Sequence, residues 1–209
     1  AIRERERTQR GGNNNTQHGA AVRCGWHKQG LLVKQSGIYY NKSRIQVKGR
    51  YHSMQEQQNL LSRCEAEEQA LQFTQFSRTD ALALGLKLHE NAKNQPIPVA
   101  VEITINGLVV FRYFPDGALP DSELWLTRKR NTVELMEMSS LHFLAWLEAN
   151  GETVEGRKLE PNDYAAGGGG FPIRLRGTGV IGSVCVSGLP DHQEDHRLVV
   201  DTLREWIGG

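Results

Sequence analysis

Residues 163–190 constrain the fold more than any other part of the chain. They read DYAAGGGGFPIRLRGTGVIGSVCVSGLP, a four-glycine loop followed by two short apolar runs that are separated by a second glycine-rich turn. The runs cover residues 171–176 and 180–187, and the second alternates as a strand does. Glycine reaches positive φ without strain, which suits the tip of a tight hairpin. The segment therefore predicts a β-hairpin with its turn at residues 177–179.

The same turn contains a GxGxxG pattern between Gly177 and Gly182. A dinucleotide-binding loop with this pattern needs a strand before it and a helix that begins inside it, so that the pyrophosphate meets the amides of the helix N-terminus. Here the continuation alternates like a strand, and no acidic partner for a ribose follows on a later strand. The pattern therefore indicates a hairpin rather than a nucleotide site.

Helical spacing of apolar residues occurs before and between the strand-like segments. Residues 55–71 predict the first helix, and Thr79 or Asp80 is the candidate N-cap of the second. Residues 121–150 are too long for one ordinary helix, so we expect a break at residues 139–140, because serine prefers caps to helix interiors. A last helix follows the glycine-rich hairpin.

A second hairpin is predicted in the middle of the chain. Apolar and polar residues alternate over residues 99–105, an Asn-Gly dipeptide occupies positions 106–107, and residues 108–114 form the returning run. Asn-Gly between alternating runs is the strongest short-range hairpin signal. Two hairpins interspersed with helices predict an α+β fold, in which an antiparallel sheet has flanking helices.

Charge divides the chain into two unlike parts. Residues 1–53 hold eleven Lys or Arg and two Glu, whereas residues 54–209 hold 14 basic and 22 acidic residues, so the net charge of +1 combines +9 with −8. A segment so basic and so poor in apolar periodicity does not bury enough surface to order itself. We expect residues 1–53 to be a disordered or non-native extension, either an arm for nucleic acid or another acidic surface, or a translated leader. Residues 54–209 suffice for one domain, and nucleic acid is not an expected partner of this acidic body.

Targeting and redox features favour a cytoplasmic protein. No run approaches the ~18 apolar residues of a membrane span, and no apolar stretch follows the N-terminal arginines as a secretory signal requires. Cys24, Cys64 and Cys185 are widely spaced, and they form neither a disulfide framework nor a CxxC metal pattern. The chain has no CxxCH, which excludes covalent c-type heme.

Four motifs resemble one known family. WLTRKRNTVELMEMSS is followed by AGGGGFPI, then GTGVIGSVxVSGLP, then DHxLVVxxL. In this order and spacing they resemble the GlcG/HbpS-like heme-degrading-domain family, and within it the uncharacterised cytosolic branch, over residues 54–209. The resemblance implies a profilin-like arrangement of sheet and helices, a homo-oligomer that is a dimer or larger, and heme as the candidate cofactor.

Two histidines lie four residues apart on the predicted last helix, and so on one face. His192 and His196 alone do not define a metal site, because a third ligand is missing, and His192 falls in the first turn. His196 shares its face with Val199 and Leu203, which direct it toward the core. Because it also belongs to the DHxLVV motif, His196 is the candidate ligand of heme iron, through a neutral imidazole nitrogen.

A basic cluster and the glycine loop are the other candidate features. The cluster consists of the consecutive residues Arg128–Arg130. On a helix their side chains point in different directions around the axis, so at least one of them faces the protein interior or a partner. Arginine binds carboxylate or phosphate through a bidentate fork, and glycine amides approach an anion closely. The alternatives are a solvated charge run and a flexible connector. We expect cluster and loop to converge on one anionic ligand; the candidate ligand-binding residues are then His196, Arg128, Lys129, Arg130, Gly168, Gly169 and Gly170.

The sequence assigns no catalytic residue. Ser183 lies in a strand pattern without a nucleophile elbow, and neither an HExxH nor a P-loop motif is present. His142, between apolar neighbours, is typical of a satisfied core histidine. Two function classes stay open. One is a heme or tetrapyrrole-binding protein that promotes oxidative heme degradation, as the resemblance implies. The other is a non-enzymatic homo-oligomeric module that binds a small anionic ligand or a protein partner.

Overall fold

The computed structural model describes residues 32–35 and 38–208, with side chains from Gln55 onward. The chain divides into two compact units, Ala1–Ile45 and Gln46–Gly209. In the first unit, β1 (Leu32–Gln35) pairs antiparallel with β2 (Ile38–Asn41). Residues 1–31 lie outside the described residues, so the disordered or non-native character expected of residues 1–53 stays a prediction.

The first helix, α1 (Lys42–Ala70), is longer than expected. It begins at Lys42 instead of near residue 55, so the predicted domain start at Met54 falls inside it. Apolar spacing reveals a helix only where one face is buried, and the first buried side chain of α1 among the described residues is Cys64. The turns of the helix described between residues 55 and 63 therefore carry little sequence signal.

A four-stranded antiparallel sheet organises the second unit, with the strand order β4-β3-β6-β5. The predicted hairpins are both confirmed: β3 (Ala100–Ile105) with β4 (Leu108–Tyr113), and β5 (Gly170–Leu175) with β6 (Gly179–Ser187). Asn106 and Gly107 have φ of 50° and 76°, as a type I′ turn requires. The hairpins join through antiparallel pairing of β3 with β6.

Helices cover both faces of this sheet. On one face, α2 (Arg78–Ala92) and α5 (His192–Gly208) pack on the larger apolar core. On the other face, α3 (Ser122–Met136) sets Leu126 against Ala100 and Cys185. The shorter α4 (Ser140–Asn150) follows after the break expected at residues 139–140. Alternate strand residues thus face opposite layers, and the α+β fold predicted from the sequence is confirmed.

Local hydrogen bonds fix where the helices begin. The N-cap of α2 is Ser77, not Thr79 or Asp80: the Asp80 amide donates to Ser77 Oγ at 3.2 Å, and the Ser77 amide donates to Asp80 Oδ2 at 2.7 Å. This reciprocal pair is a capping box. Ser139 caps α4 by accepting the His142 amide at 3.1 Å. In the part of the chain that the structure describes, no helix combines the length and apolar character needed to cross a bilayer.

Candidate functional site

A cleft of about 780 Å³ opens where α3, the irregular segment before β5 and the β6–α5 connection meet. Its position follows from the fold, because α3 and the start of α5 approach each other across the end of β6. Apolar and aromatic side chains form most of its wall, with a few polar groups among them. Small-molecule sites have this size and make-up. The apolar part of the lining includes Ile97, Leu119, Trp125, Val154, Tyr164 and Leu189.

A buried ion pair forms the innermost polar part of the cleft. Lys129 Nζ on α3 donates to Asp195 Oδ2 on α5 at 2.7 Å and to the Val186 carbonyl oxygen at 2.8 Å. The two side chains are 5% and 4% exposed. Asp195 Oδ1 in turn accepts the Leu189 amide at 3.2 Å. The pair fastens α3 to α5 and to the end of β6, and it brings a cation and an anion together at the cleft.

Burial raises the pKa of Asp195 above its ordinary value, and the charge and hydrogen bond of Lys129 oppose that rise. A ligand anion that approaches Lys129 therefore competes with a carboxylate already in place. Displacing Asp195 leaves a buried carboxylate unpaired, which costs about 3–5 kcal/mol. The pair consequently favours a ligand that leaves it intact over a small free anion.

The three consecutive cations of α3 go to three different environments, as their fan around the helix predicts. Lys129 alone lines the cleft. The Arg128 guanidinium carbon lies 4.9 Å from the centroid of the Trp125 ring, and its Nε donates to the Asn162 carbonyl oxygen at 2.8 Å. Arg130 extends to the sheet and donates to Glu102 Oε1 at 2.9 Å. The basic cluster does not converge on one point. Arg128 lies at the border of the cleft, against Trp125, and Arg130 is paired with Glu102 on the sheet.

The glycine loop is brought to the cleft, but its amides are largely used within the protein. The Gly167 amide donates to the Ser140 carbonyl oxygen at 3.1 Å, and the Gly170 amide donates to Ser140 Oγ at 2.9 Å. The Gly168 amide donates to His192 Nδ1 at 3.1 Å. Three of the four amides that were expected to meet an anion thus already have an acceptor.

What the loop contributes is close packing. A Cβ on Gly168 would overlap the His192 carbonyl oxygen and come within 2.9 Å of His196 Cβ, and a Cβ on Gly169 would lie 2.6 Å from Lys129 Nζ. Gly169 also has φ of 108°, which other residues rarely adopt. The glycines are therefore required where the loop crosses α5 and the ion pair.

The hydrogen bond at His192 fixes its tautomer. Since Nδ1 accepts the Gly168 amide at 3.1 Å, the proton of the neutral ring sits on Nε2. His192 lines the cleft, so this Nε2–H is a donor available to a ligand. Neither ring nitrogen has a lone pair free for a metal in this arrangement.

His196 lies one turn further along α5, and its side chain turns away from the cleft toward α1. Its Nε2 is 2.9 Å from Glu67 Oε2, and the residue is 3% exposed. This contact and burial have opposite effects on Glu67: burial raises the pKa of that carboxyl, and the hydrogen bond and charge of His196 with two nearby arginines lower it, leaving it below its ordinary value. Nδ1 of His196 is buried and has no hydrogen-bond partner among the described residues. The role of His196 as an iron ligand stays a prediction.

Similarity to known proteins identifies the family. The model of the family described as "Haem degrading protein HbpS-like" matches residues 76–204, which include the sheet, the cleft and His196. The chain belongs to this family. The resemblance seen in the sequence motifs is thereby confirmed.

Members and structural neighbours agree with this assignment. The UPF0303 protein of Rhizobium rhizogenes (strain K84) is 44% identical over 148 residues, which cover 71% of this chain and 91% of that protein. The crystal structure of Ybr137w has a TM-score of 0.65 and 26% identity over 71% of this chain and 87% of that one. The crystal structure of a PduOC:heme complex has a TM-score of 0.53 and 23% identity over 61% and 92% of the two chains, a likeness of fold alone.

The cleft of this HbpS-like protein fits part of a heme group well. A tetrapyrrole is a flat, largely apolar ring with acidic substituents at one edge, and the cleft offers aromatic walls in Trp125 and Tyr164. Arg128 beside Trp125 supplies a cation at the border. The described lining of the cleft offers no histidine ligand for the iron, since His192 has no free lone pair and His196 lies outside the lining. Among the residues of the lining, Tyr164 is the other ligand type that heme proteins use, and its hydroxyl makes no hydrogen bond within the described residues.

Sequence reasoning missed several residues of this site. Asp195, Trp125, Tyr164 and Glu67 were not among the predicted ligand-binding residues, although Asp195 stands beside His196 in the DHxLVV motif. A signal for the inward position of Lys129 was present, because Leu126 and Val133 flank it at helical spacing on the buried face. No comparable pattern marks Trp125 or Tyr164, because their shared place in the lining of the cleft depends on the path of an irregular segment.

Proposed function

We propose that the protein binds heme or a related tetrapyrrole in the cleft between α3, the glycine loop and the start of α5. The observation that carries the proposal is the make-up of the cleft: about 780 Å³, largely apolar, with its buried charges already paired. Membership of the HbpS-like family and the heme complex formed by the structural neighbour support the ligand class. The flat ring is the part of the ligand that such a cleft accepts.

Ring burial carries the affinity in this proposal, and iron ligation adds little. The Lys129–Asp195 pair stays intact, and Trp125 covers one face of the ring while Arg128 binds an acidic substituent at the edge. The glycines Gly168, Gly169 and Gly170 let α5 and the ion pair lie close behind the ring. Metal-free protoporphyrin IX is therefore expected to bind within about tenfold of hemin, about 1.4 kcal/mol.

The experiment compares hemin and protoporphyrin IX titrations of the full chain with those of two tryptophan variants. Trp125→Ala removes a wall of the cleft, and we expect it to weaken both ligands about 10- to 100-fold, since burying a large apolar side chain is worth about 1.5–3 kcal/mol. Trp146→Ala is the matched control. An arginine also lies over its ring, Arg157 at 4.5 Å from the centroid, but Trp146 is outside the cleft. Equal loss in both variants, or none in Trp125→Ala, contradicts the proposal.

The histidine variants decide the role of iron. His192→Ala and His196→Ala are expected to keep the absorption spectrum of bound hemin, because neither offers iron a lone pair in the cleft. A Soret band lost in His196→Ala and kept in His192→Ala, together with weak binding of protoporphyrin IX, would instead establish His196 as the iron ligand predicted from the sequence. In that case iron ligation, and not burial of the ring, would be the main source of the affinity.

Oxidative degradation is the finer activity that the family description names. It is tested on the same complex, by following the Soret band in air with ascorbate. Decay faster than that of unbound hemin, and slower in Trp125→Ala, adds degradation to the proposed function. An unchanged band leaves a binding protein.

A further inference from the structure

A second cluster of ligand-type side chains lies away from the cleft, between α1 and α5. Cys64, Glu67 and His196 each offer one ligand-type atom, and these three atoms lie within 4.8 Å of one another. We propose that this cluster binds a divalent transition metal of the Zn²⁺ class. The proposal does not depend on tetrapyrrole binding, because none of the three side chains lines the cleft.

The cluster has the spacing and burial of a metal site. Cys64 and Glu67 are three residues apart on α1, so they share one face of the helix, and α5 supplies the third side chain. Cys64 is fully buried, Glu67 has a side chain 10% exposed, and His196 is 3% exposed. Bonds of about 2.0–2.3 Å around a tetrahedral ion place neighbouring ligand atoms roughly 3.5 Å apart. Atoms as much as 4.8 Å apart need to approach by about 1.3 Å at most, while Glu67 Oε2 and His196 Nε2, now 2.9 Å apart, need to separate by roughly 0.6 Å. Side-chain rotation supplies both movements.

Charge balance also suits a dication. A thiolate from Cys64 and the Glu67 carboxylate together neutralise two positive charges, and His196 binds as a neutral imidazole. Arg204 and Arg63 approach Glu67 Oε1 at 3.4 and 4.0 Å, which leaves Oε2 directed at His196. Both arginines are half exposed, so solvent screens their repulsion of the ion.

The protons of Cys64 and His196 both have a place to go when a metal binds. The Cys64 sulfur binds an ion as a thiolate, so the thiol has to give up its proton when the metal binds. Metal binding forms the sulfur–metal bond and releases that proton to solvent. The Nε2 proton of His196, which otherwise meets Glu67, moves to Nδ1, whose nitrogen has no partner among the described residues.

The donor set indicates the metal. One sulfur, one nitrogen and one oxygen are ligands that Zn²⁺ accepts, whereas Mg²⁺ and Ca²⁺ require oxygen. Three protein ligands leave a fourth position open, as in zinc sites that bind water or a substrate atom. The proposed site is therefore of the open type.

The test titrates Co²⁺, a spectroscopic probe for zinc, into the full chain and then displaces it with Zn²⁺. A near-ultraviolet thiolate-to-cobalt band is expected, with release of about one proton per ion at pH 7. Cys64→Ser is expected to abolish the band and weaken Zn²⁺ at least tenfold, since loss of even an outer-shell partner costs 10–100-fold. Cys185→Ser, at the other buried thiol of the described residues, and Cys24→Ser are the matched controls and should keep it.

A second pair of variants keeps the test decisive if Cys64→Ser misfolds. Glu67→Gln is expected to weaken Zn²⁺ at least tenfold. Its neighbour Glu68 bonds to His142 Nδ1 at 3.0 Å and belongs to another contact, so Glu68→Gln should leave the affinity unchanged. Absence of the cobalt band, a band that survives Cys64→Ser at full intensity, or equal effects of the two glutamate variants overturns the proposal.

Discussion

The position of a residue around the helix axis decides the environment of its side chain, as Lys129 shows. Arg128, Lys129 and Arg130 are chemically similar neighbours, yet a rotation of 100° per residue directs them to a tryptophan, a buried aspartate and a sheet glutamate. Of the three cations only Lys129 is itself almost fully removed from water, and its partner Asp195 is buried with it. The stability of the site therefore depends on the middle residue of the cluster.

The first prediction is that Lys129→Met lowers the free energy of unfolding by about 3–5 kcal/mol, because it leaves Asp195 buried without its partner. Urea unfolding monitored by circular dichroism measures the change. Lys129→Met combined with Asp195→Leu is expected to recover most of the loss, since both charges are then gone. Arg128→Ala, at a half-buried cation, should cost less than about 1 kcal/mol. A loss at Lys129 no larger than at Arg128 would show that the ion pair does not matter for stability.

At the scale of elements, short local motifs set the boundaries. The second prediction concerns the capping box of α2, in which Ser77 and Asp80 each accept the other's amide. Ser77→Ala is expected to lower the free energy of unfolding by about 1 kcal/mol, because a helix amide loses its acceptor. Thr79→Ala, two residues on and exposed, should stay within about 0.5 kcal/mol. If Thr79→Ala is the costlier change, Ser77 is not the cap.

The same motif predicts a pH dependence, and its sign follows from the hydrogen bonds. The side-chain and backbone hydrogen bonds from Ser77 lower the pKa of Asp80. A carboxyl whose pKa is lower in the folded state stabilises the fold above its unfolded pKa of about 3.9, and that stabilisation is lost as the pH falls through the folded value. Asp80→Asn should therefore flatten the decline of the thermal midpoint between about pH 4 and pH 2. A decline as steep as in the parent protein contradicts this.

The hairpins and helices of the second unit could be predicted because each has its own local signal. Asn106-Gly107 sets the first turn, Gly177 and Gly179 set the second, and Ser139 marks the helix break. The start of α1 gave no such signal, and the cap of α2 was misplaced because Ser77, Thr79 and Asp80 are all good capping residues. The candidate site was predicted only in part. Whether Lys129 meets Asp195 depends on tertiary packing between α3 and α5, which no local pattern specifies.

At the scale of the whole molecule, the homo-oligomer implied by the family resemblance stays a prediction, and large aromatics on the helices also favour it. The structure divides them: Phe143 is fully buried, while Trp125 is 43% exposed. Leu82 and Leu86, one turn apart on α2, are more than half exposed and add apolar surface. Light scattering at micromolar concentration is expected to give a dimer or larger, and Leu86→Glu to reduce it more than Leu135→Glu, an equally exposed leucine of α3. A monomeric mass for the parent protein refutes the prediction.

The last prediction is that residues 1–53 are dispensable to the folded body. The charge break supports it, because +9 and −8 lie on opposite sides of residue 53. Burial supports it too: between residues 55 and 63 of α1 no side chain is fully buried, and Cys64 is the first that is. Helix turns without buried contacts contribute little stability. Removal of residues 1–53 should shift the thermal midpoint by less than about 2 °C, which corresponds to under about 1 kcal/mol for a domain of this size. A larger fall would show that α1 or the strands before it pack on the body.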